Sequence, residues 1–327
     1  MIFEGFVDCA VIDRKQGNSF APVRMMTNFS KTWMFKDIVI ARIFCLALQF
    51  GCMVLLVSFA GCTQERYRTE ESPKGYNLNQ PSVLKLPPAL DEISGIVYYP
   101  KDKSVLAIND EVGWLYKIYL KEDPDIQKWK YSSGADFEDL VLVDSTFYVL
   151  ESNGNIIKFK FIRPDSADTQ EFILPTPGKN EFEILYHNPY DKKLVLLCKD
   201  CEIDNKNSLT AFAFDLDSLA YSTAPAFVMD IRKIEDLLDE KRLRFKPSAA
   251  AIHPLTKELY IISSINKVLV IADLHGIPKK VYKINPKLYK QPEGMTFTSR
   301  GDLIISNESA DIGAANILFF KYKSPTK

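Results

Sequence analysis

From residue 82 to the C-terminus, short alternations of apolar and polar residues are broken by turns rich in Gly, Asn, Asp and Pro. That period of two predicts strands rather than helices. The strands recur in groups. Each group opens with a turn and an acidic or small polar residue, followed by a short apolar run. The openings are Asp91-Glu92-Ile93-Ser94-Gly95-Ile96, Asp136-Phe137-Glu138-Asp139-Leu140, Glu181-Phe182-Glu183-Ile184-Leu185, Lys246-Pro247-Ser248-Ala249-Ala250 and Gln291-Pro292-Glu293-Gly294-Met295. Taking Glu92, Glu138, Glu183, Ser248 and Glu293 as equivalent, the intervals are 46, 45, 65 and 45 residues. A period near 45 residues matches a four-stranded propeller blade. The long interval contains Ile231–Phe245, where Ile234, Leu237, Leu238 and Leu243 fall near helical spacing and predict a charged helical insert.

Second strands are expected at Val105–Asp110, Phe147–Ser152, Leu194–Asp200, Leu259–Ser264 and Leu303–Glu308. Third strands follow at Trp114–Leu120, Asn155–Ile162, Leu209–Leu216, Val268–Leu274 and Ile317–Lys323, and fourth strands at Gln127–Ser132, Glu171–Pro175, Ala226–Ile231 and Lys279–Ile284. The fifth group lacks a fourth strand. Ser82–Leu86 can supply it from the N-terminal side, closing the ring and removing open sheet edges. The predicted fold is all-β: a five-bladed β-propeller over 82–327, closed by an N-terminal strand and preceded by a signal or anchor segment. A monomer is expected.

Ahead of it, Ile43 to Gly61 is apolar or small except for Gln49 and Ser58, a run of 19 residues flanked by Lys31, Lys36 and Arg42. Such a run with positive flanks fits a signal peptide or a signal anchor. It ends Val57-Ser58-Phe59-Ala60-Gly61-Cys62, which resembles a bacterial lipobox with Phe59 in place of the usual leucine. The expectation is a leader over 1–61, lipidation at Cys62 and a tether over 62–81. The chain would then be a membrane-held lipoprotein of the outer membrane. The alternative is an uncleaved inner-membrane anchor; both place the propeller outside the cytoplasm. Met34 is an alternative start to Met1.

Composition supports a folded protein, with 46% hydrophobic and 25% charged residues among 327. A formal charge of −1 offers no basic excess for nucleic acid. Past the leader and Cys62, the cysteines are Cys198 and Cys201. An extracytoplasmic location permits a disulfide. Strand residues three apart point to opposite faces, which favours two unconnected cysteines over that bond.

Glu92-Ile93-Ser94-Gly95-Ile96, Asp136-Phe137-Glu138, Lys246-Pro247-Ser248-Ala249 and Pro292-Glu293-Gly294 resemble the SdiA-regulated (YjiK-like) family, relatives of the NHL-repeat propellers. The resemblance covers roughly 82–327. It implies a five-bladed propeller and a calcium site, and leaves the activity open.

First strands of propeller blades line the central channel. The repeated position predicts a ring of Glu92, Glu138, Glu183 and Glu293, with Ser248 as fifth member. Carboxylates gathered on one axis either share protons or bind a cation, and calcium accepts such an all-oxygen set. A second polar layer is expected from Asn109, Asp110, Glu151, Asp200, Asn307 and Glu308, with Lys199 as a neutralising group. His187, His253 and His275 lie in turns, and no phosphate loop, nucleophile elbow or HExxH helix is present. Two functions compete. One is a non-enzymatic calcium-binding module presenting a face to a small-molecule or protein ligand. The other is a calcium-dependent hydrolase of esters, lactones or phosphoesters, with Glu151 or Asp110 as base; the catalytic residues stay unknown.

Overall fold

The computed structural model describes residues 70–163, 166–309 and 314–324. The leader, Met34, the apolar run and Cys62 lie outside the described residues. Among the described residues, no helix is long and apolar enough to cross a membrane.

The strands form five antiparallel sheets. The N-terminal strand is β1 (Ser82–Lys85). Blade 1 is β2 (Ile93–Tyr99), β3 (Ser104–Asn109), β4 (Trp114–Tyr119) and β5 (Ile126–Lys130). Blade 2 is β6 (Phe137–Val143), β7 (Thr146–Glu151), β8 (Ile156–Arg163) and β9 (Ser166–Phe172). Blade 3 is β10 (Asn180–Asn188), β11 (Lys193–Cys201) and β12 (Ser208–Asp215), whose outer edge is shared by β13 (Ala220–Tyr221) and β14 (Phe227–Asp230). Helix α1 (Ile231–Leu238) follows, shorter than the predicted insert because Asp239 turns left-handed at its C-terminus. Blade 4 is β15 (Ala249–Ile252), β16 (Leu259–Ser263), β17 (Val268–Ala272) and β18 (Pro278–Lys283). Blade 5 is β19 (Pro292–Phe297), β20 (Leu303–Asn307) and β21 (Asn316–Phe320), completed by β1. Ser82 faces Phe319 and Lys85 faces Asn316, so the predicted closure is present.

The first strands β2, β6, β10, β15 and β19 pack side by side in a closed circle. Each sheet buries both faces against its neighbours, which explains why β3, β16 and β20 are buried at every position. Five apolar clusters result, one between each adjacent pair of blades. Outer strands such as β9 are largely exposed to solvent.

Further expectations change. The fourth strand of blade 2, expected at Glu171–Pro175, is Ser166–Phe172, since the chain turns back directly after Arg163. The described part of the tether is docked: Leu78 is buried in the blade 4–5 cluster, its carbonyl accepts from Tyr289 Oη (3.0 Å), and Lys323 N donates to Gly75 O (2.8 Å). Cys198 and Cys201 are bonded. The alternation argument against that bond fails because β11 carries an extra residue, Lys199, between Cys198, which faces Phe182, and Asp200, which faces Glu181.

Candidate functional site: a carboxylate-lined channel mouth

Three first strands carry a bulge at the same place. In β6, Phe137 faces Glu151 and Asp139 faces Leu150, leaving Glu138 unpaired. In β10, Phe182 faces Cys198 and Ile184 faces Leu197, leaving Glu183 unpaired. In β19, Pro292 faces Asn307 and Gly294 faces Ser306, leaving Glu293 unpaired. In β2 the shift falls between Ile93 and Ile96, so Ser94 takes the equivalent place. Ser248 holds it in blade 4, just before β15. A bulge frees one residue from the ladder and re-aims its side chain. Here Ser94, Glu138, Glu183, Ser248 and Glu293 all turn into one cavity of about 370 Å³ at the channel mouth.

Glu138, Glu183 and Glu293 are therefore brought together as the repeat predicts. Glu92 is not at the ring position. It is exposed two residues earlier, in the place that Asp136, Glu181, Lys246 and Gln291 take in other blades. The misplacement comes from matching acid to acid: pairing Ile93 with Phe137 instead puts Ser94, not Glu92, opposite Glu138. Ser94 and Asp136 belong to the cavity and were signalled only by their offset from Ile93 and Phe137.

The expected second layer divides. Asp110 and Glu308 line the cavity. Asn109 is taken by the turn after β3, accepting from Glu111 N (3.0 Å) and Val112 N (3.2 Å). Asn307 is fully buried in blade 5, donating to Leu288 O (3.1 Å) and Asn316 Oδ1 (2.9 Å). Glu151 accepts from Asn155 (3.3 Å) and is not among the cavity's lining residues. Asp200 pairs with Lys246 (2.8 Å), whose ammonium holds its carboxyl below the usual range.

The cavity is lined by six carboxylates, Asp110, Asp136, Glu138, Glu183, Glu293 and Glu308, against two lysines, Lys199 and Lys246. Lys199 bridges Glu181 (2.6 Å) and Glu183. Burial alone would depress its pKa, but those two carboxylates more than offset this and raise it. Burial, then the charge of Glu183, pushes Glu138 up to about 8. Burial, then Glu183, Glu308 and Glu138, raises Glu293 well above the usual range. Burial, then Asp110, lifts Glu308 to about 7. Burial, then Glu92, lifts Asp110 to about 6. Burial raises Glu183 too, although Lys199 opposes it. The Asp110 Oδ1 atom is buried without a hydrogen-bond partner.

This is an excess of repelling, poorly solvated oxygen ligands, the arrangement that protons or a cation relieve. The donors are all oxygen, which suits a hard cation of flexible coordination such as calcium. No three of the cavity's carboxylates bring their donor atoms within 4.8 Å of one another; among the described residues, the one group of three or more potential ligands that does so is Cys198, Cys201 and Asp204. Its sulfurs are bonded to each other, and Asp204 accepts from Thr210 Oγ1 (2.7 Å) and N (3.1 Å).

None of the histidines lines the channel-mouth cavity. His187, expected in a turn, lies in β10 and lines a second cavity formed by residues of all five first strands, where burial lowers its pKa. His253 is fully buried in a turn, its Nδ1 accepting from Leu255 N and Thr256 N (3.1 Å each), and burial pushes its pKa down to about 4.

No protein-family model matches the chain, and neither does any curated protein. Among solved structures, Myxococcus xanthus glutaminyl cyclase is similar with a TM-score of 0.50 at 12% identity, covering 74% of this chain and 96% of that one. A luciferin-regenerating enzyme gives 0.45 at 11% identity over 76% of this chain and 97% of that one. Staphylococcus aureus virginiamycin B lyase gives 0.40 at 14% identity over 75% of each. At 12% identity the glutaminyl cyclase likeness speaks to the fold alone, and that fold is the propeller described above.

Proposed function

We propose that this protein is a cell-envelope β-propeller whose channel mouth binds a hard divalent cation, calcium by preference, and presents the loaded face to a small-molecule or protein ligand. One observation carries the reading: Glu138, Glu183 and Glu293 occupy equivalent bulges and converge on a cavity holding too few cations to neutralise them. The orphaned Asp110 oxygen and the raised Glu138, Glu293 and Glu308 carboxyls support it. Glu138 and Glu293 would hold the ion, with Asp110 and Glu308 beside them; Lys199 already satisfies the Glu183 side. The resemblance to the SdiA-regulated (YjiK-like) family supports calcium as the ion. Envelope placement rests on the apolar run from Ile43 and on Cys62. Its test is radiolabelled palmitate incorporation, expected in the wild type and lost in Cys62→Ser; equal labelling of both would contradict it.

A second reading has its own support. Asp110 lines the same cavity with one carboxyl oxygen left without a hydrogen-bond partner, which suits a base beside a bound cation. A cation held there would supply Lewis acidity to a bound ester or phosphoester. Asp110 would accept the proton of an attacking water. Screening the protein on generic ester, lactone and phosphoester substrates, with calcium and with EDTA, separates the readings. Calcium-dependent turnover abolished in Asp110→Asn favours the hydrolase. Saturable calcium binding without turnover favours the binding module.

A further inference from the structure

The disulfide and the channel lysine belong to one device. Phe182 faces Cys198, Glu181 faces Asp200 and Asn180 faces Cys201, so Lys199 is the one residue of this stretch with no partner on β10. An extra residue reverses the alternation once. That returns Cys201 to the side of Cys198, where both are buried in the blade 2–3 cluster. It also carries the Lys199 side chain to the channel, with its ammonium between Glu181 and Glu183. The bond between Cys198 and Cys201, with Cα atoms 5.8 Å apart, closes the chain around this single extra residue. Next to it, Asp200 is tied to Lys246 from the following blade, which flanks the cavity on the other side.

We propose that the Cys198–Cys201 disulfide is a latch that holds Lys199 inside the channel, and that Lys199 is a specificity-determining residue which lowers the ring's affinity for an external cation by occupying Glu181 and Glu183. The second half rests on the cation reading above; the first half does not. Opening the latch breaks one S–S bond. A dithiol reductant supplies two electrons and two protons, closes into its own cyclic disulfide, and leaves two thiols on the protein. With the loop no longer closed, Lys199 is free to leave, and Glu181 and Glu183 join the unneutralised acids. The oxidised protein is then the weaker cation binder and the reduced protein the tighter one.

The latch is tested without any metal. The full chain is treated with an amine-acylating reagent, and labelling of Lys199 is followed by peptide mass spectrometry. Three forms are compared: oxidised, reduced with dithiothreitol, and Cys198→Ser/Cys201→Ser. Circular dichroism confirms that each is folded, and exposed Lys160 serves as the internal control. Lys199 is expected to label at least ~10-fold faster once the disulfide is gone, the factor corresponding to a one-unit change in a lysine pKa. Equal rates in folded oxidised and reduced protein would overturn the latch. The specificity half is tested by calcium titration of Lys199→Met with the disulfide intact. Its Kd is expected to tighten ~10-fold or more, as removal of a close opposing charge implies. Unchanged or weaker binding in a folded Lys199→Met would overturn it. Absence of calcium binding in every form, with the labelling difference intact, would contradict the cation reading and leave the latch supported.

Discussion

Gly95 and Asp139 touch across the blade 1–2 boundary: a Cβ on Gly95 would stand 2.5 Å from both the Cα and Oδ1 of Asp139. The close approach leaves room for a buried carboxyl that accepts from Leu185 N of blade 3 (2.8 Å) and from Leu140 N (2.7 Å). Asp139 thus ties blade 2 to blade 3 immediately beneath Glu138. Asp139→Ala strands buried N–H donors and is expected to cost ~3 kcal/mol. Asp139→Asn keeps an acceptor and should lose less. Gly95→Ala should lower the melting temperature by forcing the two first strands apart. Chemical denaturation of the three variants checks the order; an Asp139→Ala as stable as wild type would contradict the staple.

The raised carboxyls fix the sign of the pH dependence. Folded Asp110, Glu308 and Glu138 titrate at about 6, 7 and 8, above the values of an unfolded chain. Between these limits the folded state binds more protons than the unfolded one, so stability falls as pH rises. Their contribution is full below the unfolded pKa values and is lost as pH passes through the folded ones. Buried His253, pushed down to about 4, works the other way below pH 6.5, so the melting temperature in EDTA should decline from pH 6.5 towards pH 8.5. Calcium should flatten that decline, because it takes the place of the protons. A melting temperature that rises over this range in EDTA would contradict the burial of repelling acids.

The same repulsion makes the ring substitutions depend on condition. Glu293→Gln removes one member of a crowded set. In EDTA at pH 8 it is expected to melt at or above the wild-type temperature. In saturating calcium it should melt below, having lost a ligand. Thermal melts in both buffers test this, and a variant that melts lower in both would point to a purely structural glutamate.

Ser248 fills the ring position in blade 4 without a charge. Its hydroxyl donates to Pro292 O (2.6 Å) and accepts from Ser264 N (3.1 Å), joining blade 4 to blade 5. Ser248→Ala is expected to cost about 1–2 kcal/mol for the bonds lost in a buried site. Calcium affinity should change much less than in Glu138→Gln. A larger affinity loss in Ser248→Ala than in Glu138→Gln would assign Ser248 to the ion instead.

The propeller was legible because its signals are local. Each blade spends one stretch of chain, so strand alternation and turn residues repeat, and the leftover strand at Ser82 matched the fourth strand that the fifth group lacked. The site was legible only in part, because it is built on irregularity. A bulge adds one residue to a strand without altering the apolar residues around it. Blades 1 and 2 share that bulge, so it does not offset them; matching acid to acid set Glu92 in register with Glu138, whereas the strand pairing sets Ser94 there. The same insertion at Lys199 hid the disulfide, since the rule of opposite faces assumes an unbroken ladder. Asn109 and Asn307 look like channel residues by position, but the turn after β3 and the interior of blade 5 claim them.

The central claim is that the acids carried inward by the bulges bind a cation. Isothermal titration of the purified full-length protein with calcium at pH 7.5 tests it directly, beside the Glu138→Gln/Glu293→Gln double variant. Saturable binding with proton release in the wild type, abolished in the folded double variant, is the predicted result. A titration that shows no binding in the wild type, or the same isotherm for both proteins, would contradict it.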